Sequence, residues 1–422
     1  MLTGRRAFLG MAATATGVLA LKPASYAAET SGGSARLAKT SIPDISLPPP
    51  ISSAEHLQRI AQAQRLMRAA GLKALLVEAG SSLVYFTGVQ WRRSERLTAS
   101  LIPVEGEVLI VTPEFEEPSI RESLKIPAEV RVWNEHQSPF AVLADWLKAH
   151  GSGSGPVGVE ETVRFFAVEG LRRLGVQMLG DAGVTRTCRL IKSPAEIALM
   201  QAASDITVAA YRETGPQIAR GMKPSDIGKI MSAAMVRRGA TPEFTLILLG
   251  EASAYPHGSV QPQEVRPGEV VLMDCGCTIE GYQSDISRTM VMGEATKQQR
   301  DVWNLVRRGQ QIAFDTAKVG TPAGAVDDAV RAAYEKAGYG PGYKLPGLSH
   351  RTGHGIGLDG HEPVNLVHGE ATKLAPGMCF SDEPGIYIPG TYGVRLEDCI
   401  QMTESGPKWF SNPPSALETP FA

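Results

Sequence analysis

The sequence predicts an α/β protein with two domains, the second of which contains an internal repeat. Before residue 190, short apolar strand-like runs alternate with helical segments, which is typical of α/β folds. After residue 190, two helices followed by a strand pair occur twice, with a period of about a hundred residues. That period is too long for a solenoid and indicates two related halves that face each other.

The first predicted domain, residues 51–190, begins with a capped helix. Ser52 and Glu55 have the spacing of a capping box, and Gly71 follows the last helical residue, Ala70. After this helix, the strand-like apolar runs are predicted at 74–77, 99–104 and 108–113, with Glu105-Gly106 as the turn between the last two.

The second predicted domain, residues 191–422, begins with Ser193 as an N-cap, Pro194 at the first helical position and Glu196 completing a capping box. In the first half of the repeat, helices are predicted near 194–213 and 225–238 and a strand pair near 269–292. In the second half, helices are predicted near 296–318 and 322–337 and a strand pair near 377–402.

The N-terminus predicts an export signal followed by a linker. Arg5 and Arg6 precede an apolar run that is too short to span a bilayer, and small residues suit cleavage after Ala27. Residues 1–27 resemble a twin-arginine signal, and residues 28–50, rich in Ser, Gly and Pro, predict a linker. We therefore expect a periplasmic or extracellular protein with no stable membrane span after signal removal.

Composition excludes some functions. The charged fraction is 20% and the net charge −2, with no basic run, so nucleic acid is not an expected partner. The five cysteines contain no CxxC pair, which argues against a thiolate zinc site. We favour small buried side chains for them, while a single disulfide stays open.

Two predicted strand pairs carry acidic residues in apolar surroundings. Asp274 and Asp285 belong to the first pair, and Glu383 and Glu397 to the second. If each pair lies side by side on a hairpin, like charges repel and require a common counter-charge. With His354 in a glycine-rich segment, these residues predict a dinuclear site for Mn²⁺, Co²⁺ or Zn²⁺.

These motifs resemble the pita-bread (M24-type) metallopeptidases, which include Xaa-Pro aminopeptidase, Xaa-Pro dipeptidase (prolidase), creatinase and methionine aminopeptidase. The match is strong over 190–405 and looser over 51–190, through "YFTGV" and "ERLTASLIP". The resemblance implies a creatinase-type N-terminal α/β domain and a pita-bread catalytic domain with a pseudo-twofold repeat. The segments that carry it are "DCGCTIEGYQSDISRT", "GHGIG", "DEPGIY" and "GVRLED".

The resemblance also implies the roles of the metal ligands. Asp274 and Asp285 would hold one metal ion, with Asp285 bridging to the second. His354 and Glu383 would bind the second ion, and Glu397 would bridge both. Glu383 would also take the proton of a bridging water.

Further residues match the substrate side of the family's site. His361 would contact the substrate carbonyl or stabilise the tetrahedral intermediate, and His257 matches the other substrate-side histidine. Arg395 would steady the ligand carboxylates. Tyr387 matches an active-site tyrosine. His350, which lies outside the motifs, is a weaker candidate for a supporting role.

The implied reaction is hydrolysis of an Xaa-Pro bond by a metal-bridging hydroxide, with small proline-containing peptides as substrates. We favour a dipeptidase narrowly over an aminopeptidase, because "ERLTASLIP" is slightly more similar to prolidases. A dipeptidase must capture the carboxylate after proline. The "WRRSER" segment, residues 91–96, has three arginines for this purpose, although a solvated loop is the preferred interpretation. A homodimer is expected, with a homotetramer as the alternative.

Four other classes fit less well. A metal-free C–N hydrolase of the creatinase type would lack the five ligands, and a non-catalytic binding module would have lost some of them. A pita-bread lyase acting on a sulfonium propionate would have an aspartate where Gly276 stands. Methionine aminopeptidase would not bring the N-terminal domain.

Overall fold

The computed structural model describes residues 45–151 and 155–421. These residues belong to one compact unit, Asp44–Ala422. The predicted export signal, residues 1–27, and most of the predicted linker lie outside the described residues.

The N-terminal part consists of helices around one mixed sheet. Its helices are Ser53–Ala70 (α1), Ser81–Thr87 (α2), Glu117–Ser123 (α3), Pro139–Ala149 (α4), Phe165–Arg173 (α5) and Val184–Leu190 (α6). Its strands are Ala74–Glu78 (β1), Ala99–Pro103 (β2), Val108–Pro113 (β3), Ala128–Trp133 (β4), Val157–Val159 (β5) and Met178–Gly180 (β6). They pair in the order β4-β3-β2-β1-β5-β6, in which β1, β2 and β3 are antiparallel and the other pairs parallel.

The C-terminal part contains the predicted repeat of two helices and a set of strands. Its helices are Pro194–Thr214 (α7), Pro224–Val236 (α8), Lys297–Thr316 (α9) and Ala323–Lys336 (α10). The first half supplies the strands Thr241–Leu249 (β7), Val270–Ile279 (β8), Tyr282–Gln283 (β9) and Ile286–Val291 (β10). The second half supplies Gly353–Gly355 (β11), Glu362–Leu366 (β12), Cys379–Asp382 (β13), Gly385–Ile388 (β14), Tyr392–Arg395 (β15), Asp398–Thr403 (β16) and Gly406–Trp409 (β17).

The helix starts show why the predicted boundaries agree with the structure. Ser193 forms both bonds of its capping box with Glu196, whereas Ser52 only accepts a bond from the Glu55 amide. Glu55 instead contacts Arg59 on its own helix, at 2.8 Å. The left-handed φ of 71° at Gly71 ends α1, as predicted.

The two parts share a core. Met67 of α1, Leu75 of β1, Leu199 of α7 and Met273 of β8 are buried in one apolar cluster. Packing against the N-terminal part therefore supports the strand that carries the first predicted metal ligands.

Backbone hydrogen bonds join the two halves of the repeat beside the predicted ligands. Ser287, just inside β10, and Glu397, just before β16, exchange backbone bonds of 3.1 and 3.2 Å. Next to this junction, the Arg288 guanidinium pairs with Asp398 at 2.7 and 3.1 Å in a fully buried position. The ladders of the two halves are thus fixed relative to each other at the acidic residues.

None of the helices among the described residues is both long and apolar enough to cross a bilayer. All five cysteines are buried with free thiols, which agrees with the favoured prediction for them.

Asp382 provides a stability prediction. It is fully buried opposite Asp398, and neither of its carboxylate oxygens has a hydrogen-bond partner among residues 45–151 and 155–421. Burial, followed by Asp398, raises the pKa of Asp382 well above its usual range. The folded protein thus retains a proton that the unfolded chain releases above pH ~4, so this group lowers stability as pH rises.

We expect Asp382→Asn to raise the free energy of unfolding of the metal-free protein by roughly 1–3 kcal/mol at pH 7 and by less at pH 4.5. Chemical unfolding at several pH values measures the difference, with the exposed Asp145→Asn as control. An equal gain at both pH values would contradict the explanation.

Candidate metal centre and active site

The first hairpin brings Asp274 and Asp285 onto one face, although not directly opposite each other. Asp274 of β8 pairs with Ser287 of β10, and the same register runs on through Ile286 and Cys275. Asp285, just before β10, is therefore diagonal to Asp274, a spacing that carboxylates can span.

The second hairpin places Glu383 and Glu397 opposite each other. Asp382 pairs with Asp398 on one side and Gly385 pairs with Arg395 on the other, in the same register. The two glutamates lie in the gap between these pairings. There Glu383 donates its amide to Thr352 O at 2.9 Å, near the strand that carries His354.

His354 lies on β11 with its ring orientation fixed. Its amide donates to Ser381 Oγ at 3.1 Å, and its Nδ1 donates to Gly355 O at 3.1 Å. Burial, followed by the nearby His361, lowers the pKa of His354 well below its usual value. The neutral ring with a proton on Nδ1 leaves a lone pair on Nε2, the state in which histidine binds a metal.

Three of the predicted ligands converge on one point, and the other two adjoin it. Ligand atoms of Asp285, His354 and Glu397 all lie within 4.8 Å of one another. His354 Nε2 lies 3.3 Å from Glu383 Oε1 and 3.7 Å from Asp285 Oδ2. Asp274 lines the cavity that contains this point, and its Oδ2 accepts a hydrogen bond from Arg395 Nη2 at 2.5 Å.

The electrostatics show excess negative charge. Burial, then Asp274, raises the pKa of Asp285 well above its usual range, and burial, then Asp285, does the same for Glu397. Burial raises the pKa of Glu383 to about 8, although Arg395 acts in the opposite direction. One guanidinium thus does not neutralise the four carboxyl groups.

These residues fit a divalent metal centre. When the carboxyl groups are ionised, the His354 lone pair faces their oxygens, and a cation bound between these acceptors would offset their repulsion. Asp274 Oδ1 and Glu397 Oε1 are buried without a hydrogen-bond partner in the described part of the chain. Carboxylate oxygens with one imidazole nitrogen and no thiolate suit Mn²⁺, Co²⁺ or Zn²⁺.

Arg395 links the ligands to the substrate side. It contacts Asp274 directly and reaches Glu397 through Ser287, whose Oγ accepts from Arg395 Nε at 3.0 Å and donates to Glu397 at 2.7 Å. Its Nη1 also donates to Pro256 O at 3.1 Å, the residue before His257. These contacts hold Arg395 beside Asp274 and Glu397, and its steadying role stays a prediction.

The buried Tyr387 and the half-buried His350 form a pair beside this arginine. Arg395 Nη1 donates to the Tyr387 hydroxyl at 3.1 Å, and the hydroxyl lies 2.8 Å from His350 Nε2. His350 Nδ1 donates to Arg351 O, and burial, followed by Arg395, lowers the pKa of His350 to about 3. The neutral ring therefore accepts from Tyr387, so His350 supports the site rather than binding metal.

The centre lies at the base of a cavity of about 880 Å³. His257 and His361 are exposed and line it, and the His361 ring meets the His354 ring edge-on at 4.1 Å between centroids. The cavity also contains Arg351 and Gln283, which the sequence analysis did not identify. The only feature of the sequence that could have pointed to Arg351 is its position beside the "GHGIG" segment.

The "WRRSER" segment is a loop, and none of its arginines lines the cavity. Arg93 donates to Ala79 O and Thr162, and Arg96 pairs with Glu135 at 2.7 Å. The preferred interpretation of this segment as a solvated loop agrees with these contacts.

Metal binding has an expected signature in thermal unfolding. Asp285→Asn should raise the melting temperature of the chelator-treated protein, because it removes one of the repelling carboxylates. It should also abolish most of the gain on adding Mn²⁺, which for the unaltered chain is about 2.7 kcal/mol at a hundredfold excess over Kd.

Differential scanning fluorimetry with and without EDTA measures both effects, with the exposed Glu404→Gln as control. The assignment is wrong if Asp285→Asn keeps the full Mn²⁺ gain.

Comparisons with known proteins agree with this geometry. Residues 198–404 match the model of metallopeptidase family M24, and residues 59–191 match the creatinase/prolidase N-terminal domain. A Xaa-Pro dipeptidase of Lactobacillus helveticus is 32% identical, over 78% of this chain and 90% of the relative.

Solved structures give the same result. The dipeptidase PepE of Mycobacterium ulcerans superposes with a TM-score of 0.79 at 30% identity, covering 87% of this chain and 99% of that one. An X-Pro aminopeptidase of Thermotoga maritima has a TM-score of 0.76 at 26% identity, covering 85% and 98%. The pita-bread fold with a creatinase-type N-terminal domain, expected from the motifs, is confirmed.

Proposed function

Because the chain belongs to metallopeptidase family M24, we propose that it hydrolyses Xaa-Pro bonds with two divalent metal ions, and that dipeptides are its preferred substrates. One observation carries the proposal. The neutral His354 and the carboxylates Asp285, Glu383 and Glu397 converge at the base of a cavity lined by further polar side chains.

The residues divide into ligands and substrate groups. Asp274 and Asp285 would hold one ion, and His354 and Glu383 the other, with Asp285 and Glu397 shared. When bound, the ions would polarise the scissile carbonyl and lower the pKa of water to about 7.

The chain's own groups would move protons and hold the substrate. Glu383, a carboxylate within hydrogen-bond reach of the centre, would take one from water and pass it to the leaving nitrogen. His257 and His361 make no side-chain hydrogen bond among the described residues and would donate to the substrate carbonyl oxygen. A bond before proline lacks an amide hydrogen, so such a site reads the carbonyl instead.

The preference for dipeptides is supported by an arginine in the cavity that pairs with no carboxylate in the described part of the chain. Arg395 is engaged by Asp274, whereas Arg351 has no ion-pair partner within the described ranges. A dipeptide presents its terminal carboxylate just after proline, and an arginine is suited to bind it. The second candidate, Xaa-Pro aminopeptidase, is favoured by the cavity volume of about 880 Å³, which accommodates longer peptides.

We also propose Mn²⁺ as the working metal, export through the twin-arginine pathway, and a homodimer or homotetramer. The oxygen-rich donor set supports Mn²⁺, and the paired arginines near the N-terminus support export. The oligomer rests on the resemblance alone. Metal analysis of purified protein, cell fractionation and native mass measurement test these points separately.

Substrate choice is the first test. The metal-stripped protein should gain activity towards Ala-Pro and Gly-Pro on adding Mn²⁺, and Ala-Pro-Ala should be cleaved far less. Product release measured by chromatography gives the answer, with Asp285→Asn as an inactive control. Cleavage of the tripeptide at a similar rate would make the enzyme an aminopeptidase. If the protein binds metal but cleaves none of these peptides, the Xaa-Pro proposal is wrong.

Arg351→Gln tests carboxylate capture. We expect KM for Ala-Pro to rise at least tenfold, since a charge-assisted bond contributes about 1.5–3 kcal/mol. The rate for Ala-Pro amide, which lacks the carboxylate, should change little. Arg92→Gln, in the exposed loop, is the matched control. If Arg92→Gln produces the selective effect and Arg351→Gln does not, the loop is the carboxylate site after all.

A further inference from the structure

The segment that carries His361 is held by side chains. Residues 357–361, here called the His361 loop, separate β11 from β12. Glu362 Oε1 accepts the amides of Leu358 at 3.0 Å and Asp359 at 3.2 Å. The exposed His361 ring has no hydrogen bond of its own in the described structure. The direction of the ring therefore depends on the conformation of its loop.

Arg189, at the end of α6, bridges the two acidic residues that bracket His361. Its Nη2 lies 2.8 Å from Asp359 Oδ2 and 2.5 Å from Glu362 Oε1. Its Nη1 donates to Ser82 Oγ at 3.1 Å, which ties it to α2. The Arg189 side chain is 11% exposed and does not line the cavity.

We propose that Arg189 is a positioning residue for His361, through which the N-terminal part of the chain sets the substrate side of the metal centre. The proposal rests on the proposed function, in which His361 contacts the substrate. It adds a residue that belongs to neither the metal ligands nor the cavity wall.

The contact crosses from one part of the fold to the other. Arg189 lies within the residues that match the creatinase/prolidase N-terminal domain, whereas Asp359 and Glu362 lie within the M24 match. Ser81 of α2 also donates to Asp359. Two side chains of the N-terminal part thus hold one catalytic-domain loop, so the N-terminal part acts on the site by fixing that loop.

The substitution Arg189→Gln is suited to the test because a second cation remains. Lys192 Nζ lies 2.8 Å from Glu362 Oε2, so Glu362 stays paired when the guanidinium is removed. Asp359, which is partly exposed, can take up water. The fold should persist while the bridge across the His361 loop is lost.

Amide hydrogen exchange of the metal-free protein reads the loop directly. In Arg189→Gln, the amides of Leu358 and Asp359 should exchange at least tenfold faster, because Glu362 Oε1, which accepts them, loses its guanidinium and the carboxylate is held by Lys192 alone. Arg186→Gln, an exposed position on the same helix, should leave them unchanged. Unchanged exchange in Arg189→Gln would overturn the proposal.

Kinetics test whether the effect passes through His361. With Ala-Pro as substrate, Arg189→Gln should lower kcat at least tenfold with KM changed less than threefold. Arg189→Lys keeps the positive charge but not the forked guanidinium, so its kcat should lie between those of the unaltered chain and Arg189→Gln. In a His361→Ala background, Arg189→Gln should lower kcat less than twofold further. An equal additional loss in that background would overturn the proposal.

The two proposals fail in different ways. If the unaltered chain binds metal but cleaves no Xaa-Pro peptide, the proposed function is wrong, and the exchange measurement alone decides the role of Arg189 on the loop. If Arg189→Gln does not fold, Asp359→Asn removes one arm of the bridge. It should speed exchange of the Asp359 amide, and unchanged exchange there would again overturn the proposal.

Discussion

Repulsion among four buried or half-buried carboxyl groups is the constraint on which this structure depends. Asp285, Glu383 and Glu397 gather around the lone pair of His354, and Arg395 forms an ion pair with the fourth carboxyl group, Asp274. In water such groups would separate. Here the raised pKa values of the acidic residues show the cost of holding them together, and a bound dication would offset that cost.

The backbone prevents the carboxylates from moving apart. Ser287 and Glu397 exchange backbone hydrogen bonds across the junction of the two halves, and Arg288 fastens the next residue, Asp398, from behind. The ladder of each half sets the position of its own acidic residues, and this junction sets one half against the other. The repeat of helices and strands therefore holds the acidic residues together, because each half carries two of the four carboxyl groups.

Local patterns predicted the fold and identified acidic residues that the structure brings together, because both depend on short stretches of sequence. The caps at Ser193 and Gly71 mark helix ends, and the spacing from Asp274 to Asp285 marks the hairpin. The diagonal offset of these two aspartates was not predicted, because register depends on pairing with the next strand. Arg351 and Arg189 were missed for a related reason: their roles come from residues distant in sequence.

The arginines around the site differ in whether a carboxylate pairs with them. Arg395 is paired with Asp274, and Arg189 is paired with Asp359 and Glu362. Arg351 enters the cavity without a carboxylate partner among the described residues. Removing a cation from water without a counter-ion costs free energy, and an anion bound beside it offsets this cost. In the proposed function, the negatively charged end of a substrate would pair with Arg351, beside the proposed metal centre.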